Sequence, residues 1–278
     1  MPELTGQNAT LLSRDDTPNR TILDRILLGS VNLSRHTNFT NEEGSDFIDL
    51  VVLISRKMLS VWKHLEAYRA EEQRLRETFW ANPDQPREHS QELYEEFDVF
   101  SVQVKSTLDH LVKVMRPVLG RKWTVYTFDK KGEGVLKALR GCVSANQKAP
   151  LQAMESQMFT DVNKNWLALI IEHRDRVNHG QMGGIKIERF SVYRAADGTV
   201  HLPIWNNEQT FIEAMDMAWR NLFLYIEDFI ALSLNFRIKD QYSFVRREVP
   251  LPSPKPTWNV IPRRVADAML ANLPFRQA

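Results

Sequence analysis

The feature of this sequence that most constrains the fold is a long stretch, from about Glu43 to Trp80, in which apolar residues recur at steps of three and four. This spacing puts the apolar side chains on one face of an α-helix, and it therefore predicts one long amphipathic helix. The helix is expected to end at Asn82-Pro83, because proline lacks the backbone N–H that a helix needs. The fold must supply other elements that cover the apolar face.

Three further segments have the same helical spacing. They run from about 88 to 115, from 151 or at least 161 to 178, and from about 208 to 236. Ala196-Asp197-Gly198 lies between two β-prone runs, and Asp-Gly in that position predicts a β-hairpin near residues 185–204. Shorter helices are predicted over 21–28, 134–142 and 263–273. Four long helices and one small hairpin predict a mainly all-α fold, an elaborated helical bundle.

The chain divides into three predicted regions. They are an N-terminal helical extension that packs on the bundle (1–85), the helical domain with its hairpin (86–240), and a Pro-rich basic tail with a short helix (241–278). The tail contains Pro250, Pro252, Pro254 and Pro256, which predict an extended, polyproline-like connector. From Arg237 to Arg264 there are seven basic residues and two acidic ones. That excess could neutralise phosphates, or it could be a solvated basic surface with no ligand.

The composition excludes several classes of protein. Hydrophobic residues make up 43% and charged residues 26%, as in globular rather than disordered chains. The single cysteine, Cys142, excludes an internal disulfide and a Cys-based zinc site, and a packing role is expected for it. No secretory signal is recognised, and no apolar run approaches the roughly 18 residues of a membrane span. A cytoplasmic protein without membrane contact is therefore expected.

One short motif, at the predicted end of the third long helix, contains residue types that suit catalysis. It reads Arg174-Asp175-Arg176-Val177-Asn178-His179-Gly180, and Gly180 suits a helix end because glycine readily adopts the left-handed conformation. Arg174 and Asn178 share a helix face, whereas His179 is about 140° around the helix from Arg174. His179 could join Arg174 if the helix unwinds there, or if a second copy of the chain contributes across a two-fold axis.

An imidazole and a guanidinium together suit cleavage of a phosphodiester without a metal. Histidine transfers protons near neutral pH, and the C-terminal end of a helix favours its protonated form. Arginine holds a phosphate with two hydrogen bonds and stabilises the charge that develops on it. RNA supplies its own nucleophile, the 2′-hydroxyl. The alternative is that Arg174 and His179 cap the last carbonyls of the helix. The neighbouring His173 is expected to border the core, and Arg176 either pairs with Glu172 or binds phosphate.

The motif resembles the signature of the HEPN (higher eukaryotes and prokaryotes nucleotide-binding) family, in which a histidine follows an arginine and a polar residue after four to six intervening positions. Arg174 matches the arginine, Asp175 the polar residue and His179 the histidine. The earlier helix around Ser106, Leu108, Asp109 and His110 is similar to the partner helix of such bundles, where a polar residue often lies near the site. The resemblance covers about residues 90 to 240, so the N-terminal helix and the tail look like additions.

The resemblance implies an HEPN-like bundle that acts as a homodimeric, metal-independent endoribonuclease without a cofactor. It implies that Arg174 and His179 are catalytic and that four residues bind the RNA substrate, namely Asp109, Asp175, Arg176 and Asn178. It also suggests a toxin or phage-defence effector with a regulatory protein partner. One alternative is a non-catalytic HEPN-like module that binds a nucleotide, RNA or a protein. Another is a helical scaffold whose tail docks elsewhere.

Overall fold

The computed structural model describes residues 17–129, 131–178, 185–205 and 209–271, without the side chains of Leu169, 175–178, Leu270 and Ala271. The described chain is mainly helical, which confirms the predicted all-α class. Two small antiparallel sheets lie among the described residues. None of the described helices is both long enough and apolar enough to cross a membrane.

The elements follow the chain in this order. The helices are α1 (Thr17–Thr21), which continues through a π-helical turn (Ile22–Leu28) into α2 (Gly29–Ser34), then α3 (Asn41–Ala81), α4 (Gln91–Lys113), α5 (Met115–Leu119), α6 (Glu133–Cys142), α7 (Lys148–Met158), α8 (Asp161–Asn178), α9 (Phe211–Leu234) and α10 (Arg263–Ala271). The strands are β1 (Glu88–His89), β2 (Ser191–Arg194), β3 (Val200–His201), β4 (Tyr242–Arg246) and β5 (Trp258–Pro262).

The long helix α3 begins at a capping box and packs along α4. The Thr40 side chain accepts a hydrogen bond from the Glu43 N–H, and the Glu43 carboxylate accepts one from the Thr40 N–H. The apolar face of α3 is fully buried at Phe47, Val51, Ile54, Met58 and Leu65. Lys57 contacts Gln103 and His64 contacts Glu96, so α3 and α4 run antiparallel. Helix α3 is thus an integral part of the helical core, while the predicted domain boundary near residue 85 stays a prediction.

The third predicted helix is two helices in the structure. Helix α7 ends at Met158 and α8 begins at Asp161, the later of the two starts that the sequence allowed. Thr160 marks the new start, because its hydroxyl accepts a hydrogen bond from the Asn163 N–H at 3.3 Å. Trp166, Leu167 and Ile171 then bury one face of α8 against the core.

The predicted hairpin near residues 185–204 is confirmed, with shorter strands than expected. Strands β2 and β3 pair with Tyr193 opposite His201, and β1 pairs with the other edge of β2. Gly198 has a φ of +88° in the connecting turn, a conformation that favours glycine. Residues 187–190, expected in the first strand, form a 3₁₀ turn.

The Pro-rich connector is packed rather than extended, which corrects the prediction of a polyproline-like linker. It joins β4 to β5, a pair of strands that the sequence analysis did not predict. The chain turns between 250 and 253, where the Ser253 N–H donates to the Pro250 carbonyl. Fully buried Arg25 donates to the Ser253 carbonyl and pairs with Glu227, so the connector is tied to the core.

Candidate functional site

Arg174 lies on α8, four residues before Asn178, which is the last described residue of that helix. Arg174 is partly buried there. The backbone of 175–178 continues the helix, but the side chains of Asp175, Arg176 and Asn178 and the whole of His179 lie outside the described residues. The structure therefore positions Arg174 and leaves the predicted Arg174–His179 pair untested.

His173 places this end of α8 against α4. Only 4% of His173 is exposed, its ring centre lies 4.8 Å from that of Phe97, and its Nε2 atom is 4.0 Å from Asp98 Oδ1. The expectation that His173 borders the core is confirmed. Asp98 was missed by the sequence analysis, although a charged residue directly after the core residue Phe97 marks the edge of the buried face of α4.

Burial makes the ionised form of Asp98 less favourable than it is in water. Burial raises the pKa of Asp98, and burial together with the charge of Asp98 raises the pKa of Tyr94. A separation of 4.0 Å from His173 is compatible with an ion pair but too long for a hydrogen bond. The arrangement thus provides an imidazole and a carboxyl within a short movement of each other, in the turn that carries Arg174.

A cluster of aromatic rings fixes the position of this helix end. Phe97 lies at its centre, with ring centres 4.8 to 5.9 Å from those of four neighbours. These neighbours are His173, Phe190, Trp205 and Phe211. They come from α8, the turn before β2, the segment after β3, and the first residue of α9. Four separate parts of the chain therefore meet beside Arg174, which gives the motif a rigid base.

Asp109 lies elsewhere along α4. Eleven residues separate it from Asp98, which corresponds to about 16 Å at 1.5 Å per residue. Its Oδ1 accepts a hydrogen bond from the Phe128 N–H at 2.7 Å and pairs with Lys105 Nζ at 2.5 Å. The structure gives Asp109 these structural partners and does not bring it to Arg174, so its role in binding substrate stays a prediction.

A small surface of stacked rings lies on the sheet next to this end of the bundle. The rings of Tyr193 and His201 stack at 4.7 Å with 10° between their planes, and Arg87 lies 4.9 Å above the Tyr193 ring. Ser90, the first residue after β1, donates through its backbone to the Phe190 carbonyl, and Phe190 packs on Phe97. We call Arg87, Tyr193 and His201 the ring platform. Stacked rings with a guanidinium suit bases and phosphates of single-stranded nucleic acid.

Three of the seven basic residues between Arg237 and Arg264 have partners within the protein. Arg237 pairs with Glu43 at 2.8 Å, Lys239 donates to the Arg35 carbonyl at 3.2 Å, and Arg246 pairs with Asp228 at 3.2 Å. These three side chains join this segment to the helical core. The local basic excess noted in the sequence is therefore at least partly structural.

Among residues 17–129, 131–178, 185–205 and 209–271, no group of three or more His, Cys, Asp or Glu side chains is arranged to hold a metal ion. Cys142 donates to the Lys122 carbonyl at 3.1 Å. In comparisons with known proteins, no family model matches the chain, and no curated protein or solved structure is significantly similar to it.

Proposed function

We propose that this chain is a metal-independent endoribonuclease of HEPN type that acts as a homodimer through Arg174 and His179. The observation that carries the proposal is the position of Arg174. It lies on α8, four residues before the last described residue of that helix, in a mainly helical fold, and it follows His173, which packs on Phe97 of α4. The sequence motif requires an arginine on a helix of such a bundle.

In the proposed reaction the RNA 2′-hydroxyl attacks the adjacent phosphorus atom. A base takes the 2′-hydroxyl proton, the bond from phosphorus to the 5′-oxygen breaks, and an acid protonates that oxygen. The products are a 2′,3′-cyclic phosphate and a 5′-hydroxyl. His179 from one or both copies transfers the protons, and Arg174 stabilises the negative charge on the phosphoryl oxygens.

His173 and Asp98 are assigned a positioning role in this proposal. His173 lies too deep in the interface between α4 and α8 to be the first contact of an RNA chain, since only 4% of it is exposed, whereas Asp98 keeps 27% of its side chain exposed. His173 packs on Phe97 directly before Arg174, and small displacements of a catalytic group lower rates strongly. They are therefore expected to act through Arg174 rather than on the substrate.

The ring platform supports RNA as the substrate. Arg87 is exposed and covers one face of Tyr193 while donating to the Ser191 hydroxyl at 2.7 Å, and His201 stacks on Tyr193, so the platform presents a cation and aromatic rings together. Stacking of this kind is largely independent of sequence, so we propose little base preference in the flanking RNA. From the sequence resemblance alone, we also propose that the protein is a cytoplasmic toxin or phage-defence effector with a regulatory protein partner.

The test is cleavage of labelled single-stranded RNA in the presence of EDTA, with analysis of the product ends. The wild type should produce cyclic phosphates, and Arg174→Ala and His179→Ala should each lose about a hundredfold or more of the rate. Arg116→Ala, an exposed arginine on α5, is the matched control and should retain full activity. Replacing the 2′-hydroxyl at the cleaved position by hydrogen should block cleavage there.

The alternative outcome identifies a different class of protein. If no RNA is cleaved but single-stranded RNA binds, and Arg87→Ala or Tyr193→Ala weakens that binding, the chain is a non-catalytic RNA-binding module. Sedimentation of the purified chain, with and without RNA, measures the proposed homodimer separately from catalysis.

A further inference from the structure

A second region of the protein contains a cavity of about 580 Å³. It lies between α3, α9 and the connector residues 249–252, with one side formed by α1. Its volume is within the range of roughly 300–1,000 Å³ that small-molecule sites have. None of its lining residues belongs to α4 or α8, so it is separate from the candidate ribonuclease site.

Aromatic side chains form the main wall of the cavity. Trp62 on α3 and Trp219 on α9 lie 5.4 Å apart with 50° between their planes, and Phe223 packs on Trp219 at 5.8 Å. Trp219 and Phe223 are buried, whereas Trp62 is half-buried and faces the open side. Such a wall favours a ligand with a flat, apolar ring system.

The connector closes another side of the cavity and is held in place before any ligand binds. The Thr21 hydroxyl donates to the Pro252 carbonyl at 3.0 Å, and Arg25 donates to the Ser253 carbonyl at 3.4 Å. Pro250 and Pro252 have no backbone N–H, so this wall is short of hydrogen-bond donors. Because the wall is already formed, a ligand would not have to order it, which favours affinity.

Two arginines and one aspartate line the cavity. Arg69 pairs with Asp216 at 2.7 Å and also with Glu66, so its charge is compensated. Arg220 also lines the cavity and is exposed, and no ion pair or hydrogen bond joins its side chain to another residue within the described ranges. The Arg220 guanidinium is therefore the group of this lining that can pair with an anion.

We propose that this cavity binds a small organic anion, whose ring system lies against Trp62 and Trp219 while its one acidic group pairs with Arg220. The acidic group can be a carboxylate, a sulfonate or a phosphate, since each accepts the paired hydrogen bonds of a guanidinium. This inference does not depend on the ribonuclease proposal, because none of its residues lies at the α4–α8 site.

Two fluorescent probes with the same rings test the proposal on the full chain. They are 1-anilinonaphthalene-8-sulfonate and its uncharged analogue N-phenyl-1-naphthylamine. Both should bind saturably, at one molecule per chain, and quench tryptophan fluorescence. Arg220→Gln should weaken binding of the sulfonate about tenfold and leave the uncharged probe unchanged. Arg116→Gln, a change at an arginine outside the cavity, should affect neither probe.

A cavity-filling variant separates this site from non-specific binding. Leu224 lines the cavity and is partly buried, so Leu224→Trp should fill the space and reduce the affinity for both probes at least tenfold. An unchanged thermal unfolding midpoint would verify that the variant folds. Trp62→Leu instead removes part of the aromatic wall, and it should also weaken the binding of both probes. The proposal is overturned if Arg220→Gln weakens both probes equally or neither, or if both wall variants leave binding intact.

Discussion

Two buried ion pairs in this protein differ in how completely their charges are compensated. Arg25 and Glu227 face each other through two hydrogen bonds, with 0% and 5% of their side chains exposed, and Glu227 also accepts the Thr257 N–H. His173 and Asp98 are 4.0 Å apart, and Asp98 keeps 27% of its side chain exposed. The first pair is closed and joins α9, the turn after α1 and the connector. The second is loose and lies beside Arg174.

We therefore expect the Arg25–Glu227 pair to stabilise the fold and the His173–Asp98 pair to serve the proposed function. A buried charge with all its hydrogen bonds satisfied stabilises one arrangement, and its loss leaves its partner uncompensated. A loose pair can exchange a proton or move without that penalty. Glu72 is a third case, because it is only 5% exposed, its nearest cation is Arg76 at 3.8 Å, and its carboxylate is therefore poorly compensated.

The largest effect is expected when the closed pair is broken. Glu227→Gln removes the counter-charge of fully buried Arg25 and should lower the free energy of unfolding by about 3–5 kcal/mol. Urea unfolding followed by circular dichroism measures this, with Glu77→Gln at an exposed position of α3 as control. A loss below about 1 kcal/mol would mean that the pair does not hold the connector to the core.

A smaller, pH-dependent effect is expected at Glu72. Burial, with the charge of Glu213 adding to it, raises the pKa of Glu72 from 4.5 to about 7. The folded state then binds the proton more tightly than the unfolded state, so stability is highest below pH 4.5 for this group and falls as the pH rises to about 7. The total loss is about 3 kcal/mol.

The variant Glu72→Gln should remove that dependence. It should be more stable than the wild type at pH 8 and about equal to it at pH 4.5, as measured by urea unfolding across this range. Glu71→Gln on the neighbouring face is the control, and it should leave the wild-type pH profile unchanged. A Glu72→Gln profile that still falls between these pH values would mean that another group is responsible.

The smallest change in the free energy of unfolding is expected at the loose pair, His173–Asp98. A change in the rate of RNA cleavage is expected there as well. Burial raises the pKa of Asp98, so its ionised form is disfavoured and Asp98→Asn should change the free energy of unfolding by less than about 1 kcal/mol. The rate of RNA cleavage should nevertheless fall about tenfold, because an amide can neither ionise nor exchange a proton with His173, the residue next to Arg174. Glu95→Gln, one turn away and exposed, should change neither quantity.

The helical part of this comparison was predictable from the sequence. The spacing of apolar residues reports which face of a helix is buried, and it located α3, α4 and α9 because those helices bury one continuous face. The break between α7 and α8 was allowed but not required, since it depends on the side chain of Thr160 acting as a cap. A sequence shows which residues can cap a helix, but it does not show which of them does so.

The tertiary pairs could not be predicted in the same way. His173 and Asp98 are 75 positions apart, and the Arg25–Glu227 pair spans 202 positions, so no local pattern links them. The prolines of the connector suggested a free linker, whereas the buried carboxylate of Glu227 and the side chain of Thr21 hold it in place. The cavity is likewise formed by four segments that are distant in sequence, so no local pattern predicts it.

The most direct test of the central claim is the single-turnover rate of RNA cleavage in EDTA for the wild type, Arg174→Ala and Arg116→Ala. The proposal predicts cleavage by the wild type and by Arg116→Ala at equal rates, and a loss of about a hundredfold in Arg174→Ala with unchanged circular dichroism. Equal rates in all three proteins would contradict it, as would a wild type that cleaves no RNA.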